Sequence, residues 1–186
     1  MSKPCYIHIP KTGGVSIENS LHYTHDHNPL FCNHSFVSLR DPVERLSSAF
    51  HFCKRAPWDA VLSRRNMNNT HHCCHSNFIS SKNVNTWISA VIRESIDCRM
   101  PGAGFPHSFV APTSFWLQNT HNVSILRTHC LTQDAKTYLN VTIDWLNKSP
   151  NSKCAEDIND NTFNVILNSH HRHDFHLLYK TSHANL

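Results

Sequence analysis

An α/β fold, with a central parallel sheet and helices flanking it in three layers, is what this sequence predicts, and three observations predict it. Short apolar runs alternate with stretches of helical periodicity. Two of those runs hand over directly to helix-opening signals, as the strands of a parallel sheet do. The 186 residues, 39% hydrophobic and 16% charged, suffice for one real core and show no shift in composition that would divide them. A single domain over residues 1–186 is expected.

Cys5 to Ile9 is the first apolar run; it ends at Pro10-Lys11-Thr12-Gly13-Gly14, after which Ile17 and Leu21 fall at helical spacing. Phe36 to Leu39 is the second, followed by Asp41 as N-cap, Pro42 at the first helical position and Glu44 in the first turn. Val43, Leu46 and Phe50 then give that helix an apolar stripe. Residues 54–82 are polar, aperiodic and rich in Asn, Ser and His, which predicts a surface insertion or mobile loop. Val84, Trp87, Ile88, Val91, Ile92 and Ile96 form the clearest amphipathic helix, and Pro and Gly interrupt the chain between Cys98 and Pro112. Val123 to Leu126 reads as a further buried strand, Thr132 to Leu139 as a short helix, and Phe163 to Tyr179 as a final helix.

The charge balance narrows the function. A net charge of +4 is too small and scattered for a nucleic-acid footprint, but suits a protein holding a small polyanion. No signal peptide is visible, and no apolar run approaches the roughly 20 residues of a membrane span. A cytoplasmic setting is therefore expected, with the eight cysteines read first as reduced thiols. Nothing in the sequence fixes an oligomeric state.

Two motifs carry chemistry. In Ile9-Pro10-Lys11-Thr12-Gly13-Gly14-Val15-Ser16 the glycines let backbone approach an oxyanion, and the helix that follows offers free N–H groups and a partial positive charge. Lys11 precedes the glycines, whereas the lysine of an ordinary nucleotide-triphosphatase loop follows them. The second motif, Arg40-Asp41-Pro42-Val43-Glu44-Arg45-Leu46-Ser47-Ser48, again opens a helix at a strand end, where α/β sheets bind ligands. Arg40 brings a guanidinium fork matched to phosphate, and Ser48 a hydroxyl for the same group. Arg45 reads as structural.

Together and in this order the two motifs resemble the nucleotide loops of the Golgi-type carbohydrate sulfotransferases, the heparan sulfate 2-O-sulfotransferase-like group among them. The resemblance implies a P-loop-like fold and the sulfuryl donor 3′-phosphoadenosine-5′-phosphosulfate (PAPS). It assigns Lys11, Thr12, Gly13, Gly14, Val15 and Ser16 to the 5′-phosphosulfate, and Arg40 with Ser48 to the 3′-phosphate. The acceptor it implies is a hydroxyl, on a carbohydrate in preference to tyrosine or a small phenol, and a luminal Golgi setting if the chain is a trimmed piece. Pro112 to Leu117, Ile125-Leu126-Arg127 and His171 to Tyr179 are similar to later segments of the same enzymes. Thr113 and His129 stand where relatives often have Gln and Glu, which bears on the adenine pocket and a distal helix rather than the phosphate loops.

Sulfuryl transfer needs in-line placement and charge stabilisation at the leaving group, the role expected of Lys11. It also needs a base for the acceptor hydroxyl, for which His34 ranks first and Glu18 second. The cluster His71-His72-Cys73-Cys74-His75 has zinc-type ligands, but neighbouring residues are hard to bring to one tetrahedral centre, so no metal is expected. The alternatives are a nucleotide-dependent kinase, for which no Walker lysine or magnesium carboxylate is recognisable, and a non-catalytic nucleotide-binding module.

Overall fold

A computed structural model of the chain describes residues 4–22, 34–66, 70–98, 109–117, 120, 122–144 and 158–183. In chain order the elements are β1 (Cys5–Ile7), α1 (Gly14–Leu21), β2 (Ser35–Leu39), α2 (Pro42–Arg55), α3 (Trp58–Arg64), α4 (Ser76–Ile79), α5 (Val84–Arg93), α6 (Thr113–Leu117), β3 (Val123–Arg127), a 3-10 turn (Thr128–Cys130), α7 (Leu131–Leu139), α8 (Asp160–Leu167) and α9 (Arg172–His183). The chain divides into two compact units, each drawn from separate stretches of sequence. The first comprises residues 1–41, 112–150 and 173–186, the second residues 42–111 and 151–172.

The first unit is the expected α/β layer structure. Its three strands are all parallel, in the order β1-β2-β3, with Tyr6 level with Phe36, which in turn is level with Ser124. Because side chains alternate along a strand, the sheet has two apolar faces. Tyr6, Phe36 and Leu126 turn to one face and pack with Ile17, Leu131, Ala135 and Ile143, which seats α1 and α7 there. Ile7, Val37 and Leu39 turn to the other and pack with Trp116 and Leu178 of α6 and α9. Burial on both faces is why β2 reads as a nearly continuous apolar run.

Carboxylates secure the outer elements. Both oxygens of buried Asp174 accept the backbone N–H of Thr113, at 2.8 and 2.9 Å, joining α9 to the start of α6. Arg127 forks onto buried Asp134 at 2.9 and 2.7 Å, and the Arg127 backbone N–H donates to the same carboxylate at 2.7 Å. That hydrogen-bonded carboxylate pushes the Arg127 guanidinium above its ordinary value.

The second unit is helical. Its core holds Leu46, Phe50 and Trp87, with the Phe50 and Trp87 rings 5.5 Å apart, and a second aromatic group of Phe52, Trp58 and Phe109. Arg45 is buried and donates to the Phe109 carbonyl at 3.5 Å, a structural role. Residues 54–82, expected as a surface loop, carry the end of α2, all of α3 and all of α4. The reason is anchoring that periodicity does not show: Trp58, Leu62, Phe78 and Ile79 are buried, and a Cys53–Cys74 disulfide ties the segment to α2. The cysteines are thus not all reduced: Cys5 is also disulfide-bonded, while Cys73, Cys98 and Cys130 are thiols.

Polar caps set the remaining boundaries. The Asn83 and Asn159 side chains accept from Thr86 N and Thr162 N at 2.9 Å, opening α5 and α8. The single helix expected from Phe163 to Tyr179 is two, α8 and α9. The break falls where the Ser169 hydroxyl turns back to the Ile166 carbonyl at 2.6 Å and accepts from the His171 N–H at 3.2 Å. Among the described residues no helix is long and apolar enough to cross a membrane.

Candidate functional site

Parallel strands bring all their carboxyl ends to one edge. Pro10–Ser16 follows β1 there, Arg40 follows β2 and Thr128 follows β3. The Thr128 hydroxyl lies 2.6 Å from the Leu39 carbonyl and 3.1 Å from the Thr12 carbonyl, one proton shared between the ends of two strands' connections. The edge is therefore a built surface in the first unit, and the first motif and Arg40 of the second lie on it.

Backbone conformation shapes the loop. Lys11 adopts a left-handed φ of 68° and Gly13 one of 88°, the second forming the N-terminal boundary of α1. Ser16 and Ile17 already donate to the Gly13 carbonyl at 3.1 and 3.4 Å, so the helix starts inside the motif, at Gly14, ahead of the Ile17 and Leu21 spacing that marks it. Gly14 has a steric reason to be glycine: a Cβ there would lie 2.5 Å from Nε2 and Cε1 of His8. The imidazole is a floor under the loop.

His8 is itself fixed. Its Nδ1 lies 2.5 Å from Oε1 of Glu18, one turn into α1, and both side chains are largely buried. Glu18, the second-ranked base, is thus partnered beneath the loop rather than standing clear of it. His8 was not among the expected site residues. Strand alternation carried the signal, since Tyr6 and His8 two residues apart face the same side as α1.

The Thr12 side chain is turned inward. It is buried and donates to the Ile9 carbonyl at 2.8 Å, so the Ser38 hydroxyl 2.7 Å away donates to it. Ser38 has then spent its proton, and the Tyr6 hydroxyl at 3.0 Å donates to Ser38. This chain of hydroxyls, Tyr6 to Ser38 to Thr12 to Ile9, pins the loop to β1 and β2. Burial pushes the Tyr6 phenol well above its ordinary value; the bond to Ser38 opposes this and the Glu18 carboxylate adds to it. Thr12 therefore contributes loop geometry, and any contact it makes with a ligand falls to its backbone. Ser16 is buried as well, while Val15 is exposed.

His34, the first-ranked base, lies at the wrong end of the sheet. It precedes β2, and its Nε2 pairs with the Ser124 hydroxyl at 2.9 Å at the amino edge. At about 3.3 Å per residue it is roughly 20 Å along the strand from Arg40. In sequence it lies just before the strand leading to Arg40, and the whole length of β2 separates the two. Arg40 itself is half-buried at the carboxyl edge, directly after β2. Ser48 falls on α2, within the second unit, so its assignment rests on the sequence resemblance alone.

Comparison of the chain with family models, curated proteins and solved structures returns no match.

Proposed function

We propose that this chain transfers a sulfuryl group from PAPS to an acceptor hydroxyl, on a carbohydrate. One observation carries the reading: the glycine loop Pro10–Ser16 and Arg40, widely separated in sequence, share the carboxyl edge of one parallel sheet. That edge is the place where open α/β sheets bind nucleotides.

PAPS would supply the transferable sulfuryl group and two phosphate ends. The first backbone N–H groups of α1 and the Lys11 ammonium would hold the 5′ end, and the Arg40 guanidinium the 3′-phosphate. Lys11 neutralises charge that develops on the departing 5′-phosphate. The bond from acceptor oxygen to sulfur forms as the sulfur–phosphate oxygen bond breaks, and the acceptor proton leaves to a base. With His34 at the opposite edge, the base is not assigned to a residue: the His8–Glu18 pair lies under the loop, its Nδ1 held by the carboxylate and its Nε2 against Gly14. Its role is to seat Gly14.

The test is calorimetric titration of 3′-phosphoadenosine-5′-phosphate, with adenosine 5′-monophosphate as control. Wild type should prefer the bisphosphate, and Arg40→Ala should weaken it by about 10- to 100-fold, the value of a charge-assisted bond. Lys11→Ala should lower turnover more than binding, and His34→Ala should change neither. Failure of folded wild type to bind the bisphosphate overturns the reading. A non-catalytic nucleotide-binding module is the second reading, favoured by the displacement of His34; binding without transfer to any hydroxyl acceptor would select it.

A further inference from the structure

Four cysteines of the second unit converge. Cys53 on α2 is bonded to Cys74, and the Cys73 sulfur lies 3.8 Å from that of Cys74. The sulfurs of Cys53, Cys73 and Cys74 all lie within 4.8 Å of one another. Cys98 lies beside the group, because the backbone N–H of Cys73 bonds the carbonyl of Asp97, the residue before Cys98. All four are buried, at 2% exposure or less.

Backbone contacts hold the last pair in register. The Cys73 N–H donates to the Asp97 carbonyl at 2.8 Å, which sets the neighbouring residue, Cys98, alongside Cys73 in the backbone, the kind of close main-chain approach a disulfide requires. The Cys73 carbonyl accepts from the Trp87 indole at 3.0 Å, and the Cys98 carbonyl from the Phe109 N–H at 3.0 Å. Both cysteines are therefore fixed by their own main chains.

We infer that Cys73 and Cys98 are the site of a second disulfide, so that the adjacent pair Cys73-Cys74 staples its segment in two directions, to α2 through Cys53 and to the stretch after α5 through Cys98. Two S–H bonds break and one S–S bond forms. Two electrons and two protons pass to a disulfide oxidant, either oxidised glutathione or a thioredoxin-fold oxidase, which is reduced to two thiols. The competing occupant is zinc held by these thiolates, with Zn–S of about 2.3 Å. The Cys53–Cys74 bond argues against it, because two of the four ligands are already spent on each other.

Burial sets when this bond closes. It holds the Cys98 thiol well above the usual thiol range, and the contact with Cys73 adds to the effect. Only the thiolate attacks a disulfide, so oxidation belongs to the folding chain, before the aromatic core seals the site.

The experiment is thiol mapping of the whole chain made in an oxidising compartment. The protein is denatured without reductant in the presence of a maleimide, then digested and read by tandem mass spectrometry. Wild type should carry no label on Cys73 or Cys98. Cys98→Ser should gain one label, on Cys73, and Cys73→Ser/Cys98→Ser should gain none while melting about 5–10 °C lower. Labelling of both Cys73 and Cys98 in wild type overturns the inference, as does a label on Cys74 in Cys98→Ser, or one zinc per chain with all four thiols reactive. The wild-type map decides even where a variant fails to fold.

Discussion

Gly14 and His8 illustrate how a binding loop is specified from beneath. The ring fills the space a side chain would need, so Gly14→Ala must push apart either the loop or the His8–Glu18 pair. Overpacking of this kind costs about 1–3 kcal/mol. A melting curve of Gly14→Ala should show that loss, and His8→Ala in the same chain should return part of it. If the two changes add independently, the contact is not what constrains Gly14. The Tyr6 hydroxyl gives a pH prediction. Its phenol ionises near pH 10 in the unfolded chain and higher when folded, so its contribution to stability is complete below about pH 10 and is lost as pH rises beyond that. Tyr6→Phe should be less stable than wild type at pH 7, by about 1 kcal/mol for the lost bond to Ser38, and should show a smaller further loss between pH 9 and 11 by circular dichroism.

Helix starts and strands were largely legible because their signals are local. Asp41 ahead of α2 with Pro42 opening it, the spacing of Trp87, Ile88 and Val91 in α5, and the apolar run of β2 appear in the structure as elements, with ends displaced by up to three residues. What was not legible depends on partners far away in sequence. Trp58 and Phe78 have no periodic company, yet burial and the Cys53–Cys74 bond make helices of their surroundings. The position of His34, by contrast, was legible: it precedes Phe36–Leu39 in sequence and so lies at the amino end of β2, opposite the end that carries Arg40. Two carboxylates govern element packing: Asp174, inside a segment similar to later parts of the sulfotransferases, and Asp134, which no motif or spacing marked. Asp134→Ala strands the Arg127 guanidinium and removes the acceptor of its backbone N–H, and should cost about 3 kcal/mol in chemical denaturation. Asp174→Ala leaves the Thr113 N–H without its two acceptors and should cost about 1–3 kcal/mol.

On the scale of the whole molecule, the parallel three-stranded sheet between helices follows from alternation of short apolar runs and helical patterns, whereas the division into two units does not. Composition is uniform across it, and each unit is assembled from separated stretches. The helical unit draws part of its stability from a covalent link. Replacing Cys53 and Cys74 by Ser opens a closure with a sequence separation of 21 and should lower stability by about 3 kcal/mol on an entropic account, measurable as an earlier denaturant midpoint. The parallel sheet also sets a timetable for synthesis. β2, all of whose side chains end up buried, must wait for β3, and the hydroxyl that ties them, on Thr128, lies 89 residues beyond Leu39. At about 5–20 residues per second, β2 waits on the order of ten seconds with one edge unpaired. A chain ending at residue 111 keeps that edge permanently open and should aggregate in light scattering, while the full-length chain refolds.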